Sequence, residues 1–174
     1  LSNPVVGVTD DRSDHFRRVL GRLPTGVVVV SGTSGGRQFG LVCGSFMSVS
    51  LDPPLVAVCP AKTSTSWPAV AQTGSFCASV LTKEQEPLAR HFARPGGDKF
   101  AGIGWHPAPA TGSPRLDDVA AWIDCRIDQQ ISAGDHWLVL GEVLEMSTHR
   151  DAGALVFHGG AYFGLDGPLA ETEG

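Results

Sequence analysis

The run Cys59-Pro60-Ala61-Lys62-Thr63-Ser64-Thr65-Ser66-Trp67 places four hydroxyl side chains and one lysine between a continuous apolar stretch and a short helical pattern. Residues 54 to 59 read as a buried strand. Trp67, Val70 and Ala71 then recur at helical spacing after a serine cap and an early Pro68. A helix start offers free N–H groups and partial positive charge, so Lys62, Ser64, Thr65 and Ser66 could converge on a dianion such as a phosphate. Capping hydroxyls are common, however, and taken alone the segment reads rather as a Ser-capped helix that binds nothing.

A second stretch, Gly40 to Ser50, mixes small residues and hydroxyls after a strand. Small side chains expose main-chain donors and acceptors to a flat polar ring edge, and Gly44 would allow close approach. Other constellations are decoys. Gly32-Thr33-Ser34-Gly35-Gly36 fits G-x-S-x-G, but a strand follows it where a nucleophile elbow needs a helix, so it reads as a hairpin turn. Asp135 and His136 are adjacent, and on an extended chain neighbours point to opposite faces, so this aspartate is expected to be badly placed to orient this histidine. Gly102-Ile103-Gly104 lacks the third glycine and the helix of a dinucleotide fingerprint. Cys43, Cys59, Cys77 and Cys125 have no ligand spacing and read as free thiols, mostly buried. The six histidines form no H-x-H or H-E-x-x-H pattern, so no metal is assigned.

The elements that must position these groups are short. Phe16, Val19, Leu20 and Leu23 predict an amphipathic helix over residues 13 to 23, stopped by Pro24. Val27 to Val30 predict a strand apolar on both faces, and residues 38 to 43 its hairpin partner. Further strands are expected at 76 to 81, 119 to 131 and 136 to 146, with a helix at 83 to 93. A last segment, 154 to 165, should end the sheet with a turn at Gly159-Gly160. Residues 94 to 118 are rich in Gly and Pro, which suggests an irregular functional cover anchored by Trp105. Short strands with hairpin turns favour an antiparallel barrel over a doubly wound sheet.

The chain has 174 residues, 42% of them hydrophobic, enough for one core. Residues 1–12 are expected to be a partly ordered extension, 13–166 the domain, and 167–174 a frayed tail. A net charge of -5 without a Lys/Arg stripe argues against nucleic acid. No apolar run approaches the roughly 20 residues of a membrane span, and no basic-then-apolar leader is present, so a cytoplasmic protein without a membrane partner is expected.

Taken together, Phe16-Arg17-Arg18-Val19-Leu20, Pro24-Thr25-Gly26-Val27, the string Ser45-Phe46-Met47-Ser48-Val49-Ser50-Leu51-Asp52-Pro53-Pro54-Leu55-Val56, the hydroxyl cradle, Asp98-Lys99-Phe100-Ala101-Gly102 and Gly134-Asp135-His136 resemble the flavin reductase family. The resemblance spans residues 14 to 165 and is nearest the small reductase components of two-component flavin-dependent monooxygenases. It implies a β-rich, Greek-key split β-barrel with a few short helices, usually a homodimer, in which NADH or NADPH reduces FMN or FAD for a partner oxygenase. Carried over by position, Val42, Cys43, Gly44, Ser45 and Ser48 would contact the ring or ribityl chain. Cys59, Pro60, Ala61, Lys62, Ser64, Ser66 and Trp67 would hold the ribityl and phosphate end, with Lys99 and Phe100 near the tail. His136 would meet the nicotinamide and act as the catalytic residue, and Tyr162 and Phe163 would approach the flavin or dinucleotide. Where many relatives carry Met-Thr-Ala, this chain has Leu41-Val42-Cys43, so only main-chain contacts are expected at Val42. NADH is favoured over NADPH because no arginine cluster for a 2′-phosphate stands out. A non-catalytic flavin carrier on the same barrel is the competing reading.

Overall fold

A computed structural model describes residues 10–167, so the expected order of segments 1–9 and 168–174 lies outside the described residues. Along the chain come α1 (Asp10–Leu20), β1 (Thr25–Gly26), β2 (Val28–Ser34), β3 (Arg37–Cys43), β4 (Met47–Leu51), β5 (Pro54–Val58), α2 (Trp67–Gln72) and β6 (Ser75–Val80). A 3-10 turn (Lys83–Gln85) leads into α3 (Glu86–Ala93), followed by β7 (Trp105–Pro107), β8 (Pro114–Leu116), β9 (Ala121–Ala133), β10 (His136–Thr148), β11 (Ala154–His158) and β12 (Ala161–Leu165).

Seven strands pair in the order β3-β2-β6-β9-β10-β5-β4, every neighbouring pair antiparallel. The valine run lies at the heart of this sheet. Val28 and Val30 pack with Val58, Trp67, Val70 and Phe76 on one face, while Val27 and Val29 pack with Leu81, Phe92 and Trp122 on the other. A strand buried on both faces favours β-branched side chains throughout, as Val27 to Val30 predict. The β2–β3 turn uses Gly35 and Gly36 at φ 57° and 75°, left-handed conformations that suit the twist of a tight hairpin.

Three expectations change, and one strand is added. Met47-Ser48-Val49-Ser50-Leu51, given no element from sequence, forms the strand β4, and its alternating pattern was the available signal. Residues 105 to 116 form a small hairpin instead of an irregular cover. It is pinned by the fully buried carboxylate of Asp124, which accepts hydrogen bonds from the Ala110 and Thr111 N–H groups at 2.9 and 3.0 Å and from the Thr111 hydroxyl. Such a buried polar group is tolerated because three donors replace its water. The final hairpin does not extend the main sheet; β11 and β12 join β1 in a separate three-stranded sheet. Helix α1 begins earlier than expected and ends at Leu20, and its apolar side chains find no cover among the described residues, Phe16 being 65% exposed.

Candidate functional site

Four separated segments enclose an open cleft of about 350 Å³. One wall is the end of β3, with Leu41, Val42 and Cys43. Opposite lie Cys59, Pro60, Ala61, Thr63, Ser64 and Thr65 between β5 and α2. The close of α3 and the following loop add Phe92, Ala93, Arg94, Pro95 and Lys99, and His136 enters from the start of β10.

Among the described residues β3 is an edge strand, so alternate main-chain N–H and C=O groups along it have no strand partner there. That gives a flat polar ring edge donors and acceptors without side-chain chemistry, consistent with the apolar Leu41-Val42-Cys43. The Cys43 thiol contributes no charge: burial first, and the neighbouring Cys59 second, push its pKa up to about 12.

The hydroxyl run works differently from a helix-end cradle. Helix α2 has only six residues, and its leading N–H groups are already engaged: the Ser64 hydroxyl oxygen accepts from the Trp67 N–H at 3.1 Å and from the Ser66 N–H at 3.3 Å. This leaves the Ser64 O–H proton to donate elsewhere, and Thr63, Ser64 and Thr65 bring hydroxyl side chains to the cleft lining. On the other side the Lys99 ammonium donates to the carbonyls of Phe92 and Gly40 at 2.9 and 3.2 Å. Desolvation lowers its pKa from the usual lysine range, a cost that a bound anion would relieve. A hydroxyl wall facing a desolvated cation, with unpartnered main chain beyond, fits a flavin and its phosphate.

His136 has a partner that extended-chain geometry had argued against. Its Nδ1–H donates to the Asp135 carboxylate at 2.8 Å, because Gly134, at φ 63°, turns the chain before the strand starts and brings the two side chains together. The hydrogen bond from His136, then its charge, hold the Asp135 carboxyl below its ordinary pKa. With Nδ1 committed, Nε2 is the free ring nitrogen. His136 also borders a second cleft of about 580 Å³, together with Asp135 and with Arg12, Ser13, Phe16 and Arg17 of α1, and among the described residues it is the one common to both clefts.

Of the residues carried over by position, Val42, Cys43, Cys59, Pro60, Ala61, Ser64, Lys99 and His136 come together on the cleft. Others do not reach its wall. A Cβ at Gly44 would stand 2.7 Å from Thr25 Oγ1, so glycine is required there by the chain itself. The Ser45 hydroxyl is engaged with Cys59, accepting from its N–H at 3.0 Å and donating to its carbonyl at 3.3 Å. Ser48 lies on the exposed edge strand β4. Ser66 and Trp67 are buried behind the hydroxyl run, with Trp67 Nε1 donating to Gln130 at 3.2 Å. Phe100 is a core residue, packed edge-on against Phe92 with ring centroids 5.2 Å apart. Lys62 turns away, its ammonium bound to Ser132 and Gly134. Tyr162 and Phe163 sit on the small sheet, where the Arg90 guanidinium lies 5.1 Å from the Tyr162 ring centroid. The sequence reading missed Arg94 on the first cleft and the pair Arg12 and Arg17 on the second. Arg94 sits in a stretch without periodicity, and only folding carries α1 to the hairpin tip.

The family model described as "Flavin reductase like domain" matches residues 20–166. The chain is 43% identical over 151 residues to a flavin reductase of Pseudomonas putida, covering 86% of this chain and 88% of that one. It is 42% identical over 152 residues to the reductase subunit HsaB of a flavin-dependent monooxygenase from Rhodococcus jostii, covering 87% and 77%. Among solved structures, the NADH:FAD oxidoreductase SgcE6 of Streptomyces globisporus, in complex with NAD and FAD fragments, superposes with a TM-score of 0.85 at 34% identity over 94% of this chain and 98% of the other. Sequence, split-barrel fold and cleft agree: this chain belongs to the flavin reductase family and is an NAD(P)H-dependent flavin oxidoreductase.

Proposed function

We propose that the protein takes NADH as its reductant and FMN or FAD as its acceptor, and releases reduced flavin to a partner flavin-dependent monooxygenase in the cytoplasm. The observation that carries this reading is His136, which stands between a flavin-sized cleft and a second cleft bordered by arginines. When bound, the flavin supplies the redox chemistry by accepting a hydride from the nicotinamide.

The chain's own part is placement. The β3 edge supports the ring, the Ser64 hydroxyl and the Lys99 ammonium hold the phosphate end, and Nε2 of His136 is available to hydrogen-bond the nicotinamide carboxamide. Arg12 and Arg17 offer positive charge to the dinucleotide phosphates. No proton transfer by a side chain is needed, so rate depends on bringing the two rings to roughly van der Waals contact, about 3–3.5 Å.

The working unit is proposed to be a homodimer. Phe16, Val19, Leu20 and Leu23 on and after α1, and Met47, Val49 and Leu51 along β4, are all exposed in the single chain. Two such apolar faces on one small domain are best accounted for by burial against a second copy.

The test is nicotinamide oxidation, followed by loss of its absorbance, with NADH or NADPH and with FMN or FAD, for the wild type and His136→Ala. The variant should raise the apparent KM for NADH while leaving flavin affinity nearly intact. An unaltered NADH dependence in single-turnover reduction would remove His136 from the nicotinamide side. Tight flavin binding without turnover of either nicotinamide would favour the carrier reading.

A further inference from the structure

Lys62 lies within the hydroxyl run, yet its ammonium serves the opposite hairpin. It donates to Ser132 Oγ at 2.7 Å and to the Gly134 carbonyl at 2.6 Å, and it stands 5.0 Å from the ring centroid of Trp137. The main chain doubles the link. The Lys62 N–H donates to the Asp135 carbonyl at 2.9 Å, the Trp137 N–H donates to the Pro60 carbonyl at 2.9 Å, and Ala61 pairs with His136 in an isolated antiparallel bridge. Residues 60 to 62 thus run as a short extra strand beside the start of β10. Pro60 and Ala61 of this segment also line the flavin-sized cleft, so one stretch of chain touches the cleft on one side and grips the tip of the β9–β10 hairpin on the other.

The grip falls on the part of the hairpin that most needs it. Ser132, Gly134 and Asp135 are exposed, and Gly134 turns in a left-handed conformation that leaves its carbonyl without a ladder partner. Among the described residues, the side-chain donor to that carbonyl is the Lys62 ammonium. The same turn orients Asp135, which fixes the Nδ1–H of His136 and so sets where Nε2 lies.

We propose that Lys62 is a positioning residue for the nicotinamide step: it holds the Ser132–Asp135 turn against the cleft segment, keeps His136 between the two clefts, and does not bind the flavin phosphate. This rests on the reading of His136 as the nicotinamide contact. Because the cleft segment and the hairpin tip are one stitched unit, a flavin that orders Pro60 and Ala61 also steadies His136, so the second ligand meets a site prepared by the first.

Three variants test it: Lys62→Met, which keeps the stem and removes charge and donors; Lys62→Arg, which keeps donors; and Ser132→Ala, which removes one acceptor. The readouts are KM and kcat for NADH at saturating FMN, Kd for FMN and riboflavin by fluorescence quenching, and amide hydrogen exchange over residues 132–136. Lys62→Met should raise KM for NADH about tenfold, the equivalent of one charge-assisted hydrogen bond, with kcat changed far less. It should also speed exchange in the turn and weaken FMN and riboflavin no more than about twofold each. Lys62→Arg should restore most of the KM, and Ser132→Ala should fall between.

A selective loss of FMN over riboflavin would overturn the proposal and return Lys62 to the phosphate. Unchanged exchange in Lys62→Met would overturn the grip itself. Faster exchange with an unaltered KM would leave the grip standing and refute its link to the nicotinamide, whereas failure of the His136 reading shows separately as an unaltered KM in His136→Ala.

Discussion

Ser64→Ala separates two roles that one oxygen performs. As an acceptor, Ser64 Oγ ties down the Trp67 and Ser66 N–H groups, both belonging to buried residues. Removing it leaves those amides without that partner, and loss of a capping hydroxyl costs about 1 kcal/mol. For a domain of this size that lowers Tm by roughly 2–4 °C. As a donor, the same hydroxyl faces the cleft opposite Lys99, and a hydrogen bond to a phosphate is worth about 1.5–3 kcal/mol, or roughly 10- to 150-fold in affinity. FMN carries the phosphate and riboflavin does not. FMN affinity should therefore fall at least about tenfold while riboflavin loses less than about threefold, and Ser64→Thr, which keeps the oxygen, should recover most of both effects. Fluorescence-quenching titrations with the two flavins, paired with thermal melts, measure all of this. Equal weakening of FMN and riboflavin would refute the argument, because it would mean that the variant acts only by loosening the turn before α2.

Two further outcomes follow from the packing around the cleft. Gly40→Ala would set a Cβ 2.6 Å from Phe92 Cε1 and 3.2 Å from Phe100 Cε2, where the two rings are locked edge to face; overpacking should cost about 1–3 kcal/mol and also weaken flavin binding, and an unshifted Tm would show that the rings can retreat. Burial pushes the thiols of Cys43 and Cys77 up to about 12 and that of Cys125 higher still, so near pH 8 a soluble alkylating reagent should modify only the half-buried Cys59, which lines the cleft. Saturating FMN should slow that reaction, and mass-spectrometric labelling of Cys59 at the same rate with and without flavin would place the ligand elsewhere.

Much of this protein follows from local pattern. The valine run, the Gly35-Gly36 turn, the long strands on either side of Gly134 and the hydroxyl run after β5 are written in periods and turn residues that depend on near neighbours alone, and the chain folds accordingly. The resemblance reached the family from the same strings, and about half of the residues carried over by position meet on one cleft. Direction is what local pattern lacks. Lys62 has a long, flexible stem and lies among phosphate-suited hydroxyls, yet a free carbonyl at Gly134, 72 positions away, takes its ammonium. Ser45 and Gly44 have the right chemistry for a ring edge but are committed to Cys59 and Thr25. Asp135 reaches His136 only because a left-handed glycine bends the chain before the strand rule applies. The fates of Lys62 and Ser45 were decided by which donor and acceptor the assembled sheet brought within about 3 Å, a competition among residues far apart in the chain that no spacing along it encodes.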